Sequence, residues 1–183
     1  PVLKEVIHEA KAAEKSVTGY ISTVFDCPYE GEVYPKDVLI VIDKLLALGV
    51  DEISLGDTIG TAVPSQVERL LEEILKYVKP EAIIMHFHDT RGMAIANIMT
   101  AMEYGITKFD SAVGGLGGCP YAPGAAGNVA TNDVLYLMHG LGIKTGIDEK
   151  KLKEAGFFIQ NKLGKHLPSK SLAYAAHDGS MRS

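Results

Sequence analysis

Short runs rich in β-branched and apolar residues recur about every 30 residues along this chain, each followed by a stretch with helical apolar spacing. The strands are expected at Ser16–Val24, Glu52–Leu55, Ala82–Phe87 and Lys108–Val113. The intervening helices are expected at Pro35–Leu48, Pro64–Val78 and Met93–Tyr104, two opening on a proline and two stopped by Gly49 and Gly105. Val2, Leu3, Val6, Ile7 and Ala10 place a helix at the start. Further helices are expected from about Asn128 to His139 and over Asp148–Leu163, while Gly56-Asp57-Thr58 reads as a turn. Strand–helix alternation implies a parallel sheet covered by helices. A spacing near 30 residues is about one-eighth of a (β/α)8 barrel, yet only four strands are legible. Four strands can form a small doubly wound sheet or half a barrel, and periodicity does not choose between them.

Composition narrows the function classes. No apolar run approaches the roughly 18 residues of a membrane helix, so no membrane partner is expected. The net charge is −5 with Lys and Arg scattered, which argues against nucleic acid as a partner. Cys27 and Cys119 are too few for a disulfide scaffold. The chain begins at Pro1 with no signal-peptide pattern, and the expected location is the cytoplasm. Residues 1–165 read as one domain, and residues 166–183 as a loose tail. No G-x-G-x-x-G follows a strand, so no dinucleotide site is expected.

Polar clusters sit where strands end: Asp26-Cys27-Pro28-Tyr29-Glu30, Gly56-Asp57-Thr58, His86-Phe87-His88-Asp89-Thr90, and Gly115 to Asn128. In parallel α/β folds that edge binds ligands. His86 and His88, two apart on a strand, share a face and can clamp one divalent cation, or can be ordinary hydrogen-bonded histidines. The loop GLGGCPYAPGAAGN can approach a ligand closely or close as a lid. Its Cys119 can be a nucleophile, a proton donor, a redox thiol or a small buried residue. Asn128 can cap the next helix or offer its carbonyl oxygen to a metal. Asp57 can be a base, a hydrogen-bond partner or a cap. Cys27-Pro28-Tyr29 echoes Cys119-Pro120-Tyr121, an echo for which sequence supplies no physical account.

From GYIST and CPYEG through EISLGDTIGT, HFHDTRGMAIAN, FDSAVGGLGGCPYAPGAAGN and GLGIKTGID, the chain resembles the 3-hydroxy-3-methylglutaryl-CoA lyases of the DRE-TIM metallolyase superfamily. The cysteine-bearing glycine loop is specific to that family, whereas H-x-H marks the whole superfamily. Superfamily members that condense acetyl-CoA with oxo acids are the nearest alternative, and they typically lack the cysteine. The resemblance implies the second half of a TIM (β/α)8 barrel, strands five to eight, with an extra C-terminal helix. The family's Asp-Arg-Glu element on strand one is absent here, so the chain reads as a fragment, inactive alone and homo-oligomeric when complete. His86, His88 and Asn128 match the family's metal ligands for Mg²⁺ or Mn²⁺, and Cys119 its catalytic cysteine. Asp57 matches a position near the substrate. The implied reaction cleaves an acyl-CoA, 3-hydroxy-3-methylglutaryl-CoA, to acetyl-CoA and acetoacetate, with His86 also taking the hydroxyl proton and Cys119 protonating the enolate. Gly114, where relatives often carry Ala, and Asn132, in place of an acidic residue, are small departures. The two open edges of a four-strand sheet are expected to make the fragment prone to associate, and the inner sheet face, meant for the other half, is expected to be apolar.

Overall fold

The computed structural model describes residues 2–118 and 127–177, arranged as two compact units, residues 1–110 and 111–183. The first unit begins with helix α1 (Val2–Ala12) and holds four parallel strands, β1 (Thr18–Ile21), β4 (Glu52–Asp57), β5 (Ile83–Phe87) and β6 (Phe109–Asp110). They lie side by side in chain order. Between them run α2 (Pro35–Ala47), α3 (Pro64–Ile74) and α4 (Ala94–Glu103), and the loop after β1 makes a small hairpin of β2 (Asp26–Cys27) and β3 (Gly31–Glu32). Pro35 and Pro64 each start a helix, where a missing N–H costs nothing.

Register sorts the sheet into two chemically opposite faces. Ile21, Ile53, Leu55, Ile83, Met85 and Phe87 are buried on one side, with Val38 and Ile42 of α2, Val67, Leu70, Leu71 and Ile74 of α3, and Ile98 of α4 completing the core. Gly19 belongs to this face, since a Cβ there would meet Leu45 of α2 at 3.0 Å. The other face carries Thr18, Tyr20, Glu52, Ser54, Ile84, His86 and Asp110, aligned by the pairings Thr18–Glu52, Tyr20–Ser54–Ile84 and Gly56–His86–Asp110. Here Lys108 pairs with Glu52, which also accepts from Thr18 Oγ1. This corrects the expectation of an apolar inner face: strand alternation delivers its apolar residues to the helices and leaves polar ones opposite.

Several boundaries differ from the sequence reading. β4 continues through Gly56 and Asp57, read as a turn, because both still pair with β5. The fourth strand ends at Asp110. Val113–Gly115 is a tight turn with Gly114 at φ 62°, and among the described residues only Ala112 bridges onward, to Ala130.

In the second unit, α5 (Thr131–Gly140), α6 (Glu149–Leu163) and α7 (Lys170–His177) bury Leu135, Met138, Leu152, Leu172 and Ala175. Ala130, not Asn128, is the N-cap of α5. Asp148 caps α6 by accepting from the Lys151 N–H at 3.1 Å. The stretch read as a loose tail forms α7 over Lys170–His177; residues 178–183 lie outside the described set. Asp133 of α5 makes that helix possible, accepting from Ser169 Oγ and from the backbone N–H groups of Lys170 and Ser171 at 2.7–3.1 Å. No described helix is long and apolar enough to cross a membrane.

Candidate functional site

The H-x-H pair lies where β5 ends, and its two rings meet. The imidazole centroids of His86 and His88 are 5.2 Å apart with their planes tilted by 48°. His86 Nδ1 lies 3.0 Å from Oδ2 of Asp110, one strand over and directly paired with it. That same oxygen accepts from Ser54 Oγ at 2.9 Å. The Tyr20 ring meets His86 edge-on, with centroids 6.5 Å apart. The His86 bond, above all, holds the Asp110 carboxyl below the usual range; partial burial opposes it, and the Ser54 bond adds to it.

His88 is the more enclosed of the two, 9% exposed, and its Nδ1 is buried with no hydrogen-bond partner. Burial pushes its pKa down, as does the neighbouring His86 charge, while a hydrogen bond to the Thr58 backbone pulls the other way. A neutral imidazole with an unpartnered nitrogen is the form that ligates metal. The donor chemistry therefore fits a divalent cation. Two imidazoles do not complete a site: among the described residues no group of three or more His, Cys, Asp or Glu is placed to hold an ion.

Asp57 does not join this pair. Its partner in the register is Phe87, so its side chain lies on the helix-covered face, opposite to His86. There its two oxygens accept from the backbone N–H groups of Thr61 at 3.1 Å and Ala62 at 3.2 Å. Burial pushes the carboxyl up to about 6, those backbone bonds pull it down, and Asp26 raises it. The loop after β4 is fastened further by Thr61 Oγ1 donating to Asp26 Oδ2 at 2.8 Å and by Asn97 Nδ2 donating to the Ala62 carbonyl at 2.9 Å. Arg91, from the loop after β5, donates to the Gly60 carbonyl at 3.2 Å. Asp57 is thus placed to organise the loop at the C-terminal edge of β4.

Cys119 lies outside the described residues, as does most of its loop. The flanks of that loop are described. Asn128 Nδ2 donates to the Leu116 carbonyl at 2.9 Å, which orients the amide and leaves its oxygen as the atom that could ligate a cation. Gly117, at φ 116°, packs so closely that a Cβ would fall 2.5 Å from Asn128 Nδ2. Cys27 is a free, half-buried thiol on the small hairpin.

Sequence reasoning passed over Asp110, Ser54 and Tyr20. Asp110 ends a strand and obeys the rule that flagged the other clusters, but it stood inside the expected fourth strand. Its pairing with His86 is a tertiary fact.

An HMGL-like family model matches residues 2–159. The chain is 48% identical over 171 residues to the hydroxymethylglutaryl-CoA lyase YngG of Bacillus subtilis, an alignment covering 93% of this chain and 57% of that protein. A crystal structure of the B. subtilis HMG-CoA lyase superposes with a TM-score of 0.92 at 48% identity, over 95% of this chain and 58% of that one. An HMG-CoA lyase from Acinetobacter baumannii, in complex with coenzyme A and 3-methylmalate, superposes with a TM-score of 0.86 at 38% identity, over 94% and 56%. A human relative named as cytoplasmic and a bovine one named as mitochondrial also match. The chain spans about half the length of the curated relatives it matches.

Proposed function

This chain belongs to the HMGL-like family, and from that premise we propose that the protein carrying it cleaves 3-hydroxy-3-methylglutaryl-CoA to acetyl-CoA and acetoacetate with the help of Mg²⁺ or Mn²⁺. The observation that supports this most is the imidazole pair at the end of β5, with the buried, unpartnered Nδ1 of His88. His86, His88 and Asn128 are the groups of this chain that would hold the cation. When bound, it supplies Lewis acidity toward the substrate's hydroxyl and carbonyl oxygens.

The remaining work falls to protein groups. A general base takes the substrate's hydroxyl proton, and the carbon–carbon bond then breaks, the alkoxide becoming the ketone of acetoacetate and the bond's electron pair leaving as the enolate of acetyl-CoA. Cys119 delivers the proton that quenches that enolate. Asp57 acts indirectly, by fixing the loop of residues 57–62 at the edge where substrate enters. The A. baumannii relative's bound coenzyme A is consistent with an acyl-CoA substrate. A cytoplasmic location and a homo-oligomeric complete enzyme belong to the same reading.

Joining this chain to the N-terminal half of the B. subtilis relative should give a barrel that releases acetoacetate with Mn²⁺ present. His88→Ala in that protein should abolish turnover and tight Mn²⁺ binding together. Acetyl-CoA consumption with an oxo acid instead of acetoacetate release would mark a condensing enzyme. Full Mn²⁺ affinity in both His86→Ala and His88→Ala would remove the pair from the ligand set.

A further inference from the structure

Asp110 is placed to decide which nitrogen of His86 carries the proton. Its Oδ2 lies 3.0 Å from Nδ1, and a carboxylate oxygen only accepts, so Nδ1 must be the donor. The carboxylate has little freedom to turn elsewhere. Ser54, fully buried on β4, donates to the same Oδ2 at 2.9 Å. Side chains of β4 and β5 therefore converge on this one carboxylate of β6. The Cα pairing of His86 with Asp110 makes the contact a property of the sheet register.

We propose that Asp110 is a positioning residue that locks His86 as the Nδ1–H tautomer, leaving the Nε2 lone pair as that ring's ligating atom. A metal-bound histidine whose second nitrogen is held by a carboxylate is a stronger and better-oriented ligand. The lock also separates two duties that the sequence reading gave to the same ring. With Nδ1 tied to Asp110 and Nε2 committed to the cation, His86 has no nitrogen left to take the substrate's hydroxyl proton. It serves as a ligand, and the base is another group. The assignment rests on the metal-binding reading above, but the tautomer itself does not depend on any metal.

Long-range ¹H–¹⁵N correlation spectra of the metal-free chain read that tautomer directly. The expected result is a protonated Nδ1 and an unprotonated Nε2 on His86. Asp110→Asn can turn its amide N–H₂ toward Nδ1, so the proton should move to Nε2; Asp110→Glu should restore part of the original pattern. His88 signals serve as the internal reference for intact folding. In the joined barrel, Asp110→Asn should weaken Mn²⁺ binding, read by electron paramagnetic resonance, by about 10–100-fold. An Nε2–H tautomer in the unmutated chain would overturn the proposal without any variant. So would unchanged Mn²⁺ affinity in a folded Asp110→Asn barrel that still loses affinity on His88→Ala. Loss of the metal-binding reading would show differently, as His86→Ala and His88→Ala proteins that keep their Mn²⁺ affinity.

Discussion

Asp57 shows how one carboxyl can be constrained by its backbone rather than by chemistry. The side chain is 1% exposed, with its oxygens spanning the N–H groups of Thr61 and Ala62. Those two bonds offset only part of the cost of burying a charge, and its pKa rises from 3.8 to about 6. A carboxyl that holds its proton more tightly folded than unfolded stabilises the fold where it is protonated. That stability is fully present below about pH 4 and is lost as pH rises through about 6. A shift of this size corresponds to about 3 kcal/mol. Asp57→Asn should lack this dependence. The difference in urea-unfolding free energy between the two proteins should therefore move in favour of the Asn variant between pH 4 and 7. A pH-independent difference would mean that Asp57 titrates normally and that the loop does not bury its charge.

At the scale of elements, the glycine-rich segment illustrates what composition says and what it leaves out. Glycine content announced close approach; the flanks show what approaches. Gly117 abuts the Asn128 amide, and the Asn128 side chain closes back on the Leu116 carbonyl. Gly117→Ala adds a Cβ at a φ of 116°, in a region L-residues avoid, and drives it against Asn128 Nδ2. It should cost about 1–3 kcal/mol of stability and shift the Asn128 side-chain amide resonances. Unmoved amide signals in a stable variant would show that the two positions are not coupled. Helix α7 carries the opposite lesson. Small and polar residues with weak periodicity looked like a tail, yet Asp133, some 37 residues earlier, supplies the cap that starts it.

For the molecule as a whole, the polar sheet face changes what association should look like. Burial of apolar surface would strengthen self-association in high salt, whereas contacts made through a face that carries the Glu52–Lys108 and His86–Asp110 pairs would be weakened as salt screens charge. Light scattering of the purified chain from about 50 mM to about 1 M NaCl should show association weakening, since the Debye length falls to about 3 Å at 1 M. Association that grows with salt would point to an apolar contact surface after all.

Strand–helix alternation, the proline starts and glycine stops, and the H-x-H and cysteine-loop motifs were legible in the chain itself. They depend on local periodicity and on short spacings, which a linear sequence records. Thus β5, α2, α3 and α4 stand close to where their apolar pattern put them, and His86 and His88 meet because residues two apart on a strand share a face. The sheet register, the turn at Gly114 and the cap on α7 were not legible, because each joins residues far apart in sequence. Register is what put Asp57 on the helix-covered face, 30 residues before the Phe87 it pairs with, and what brought Asp110 to His86. The residue types at this edge were written in the sequence; the hydrogen-bond partner of each was decided by which strand came to lie beside which.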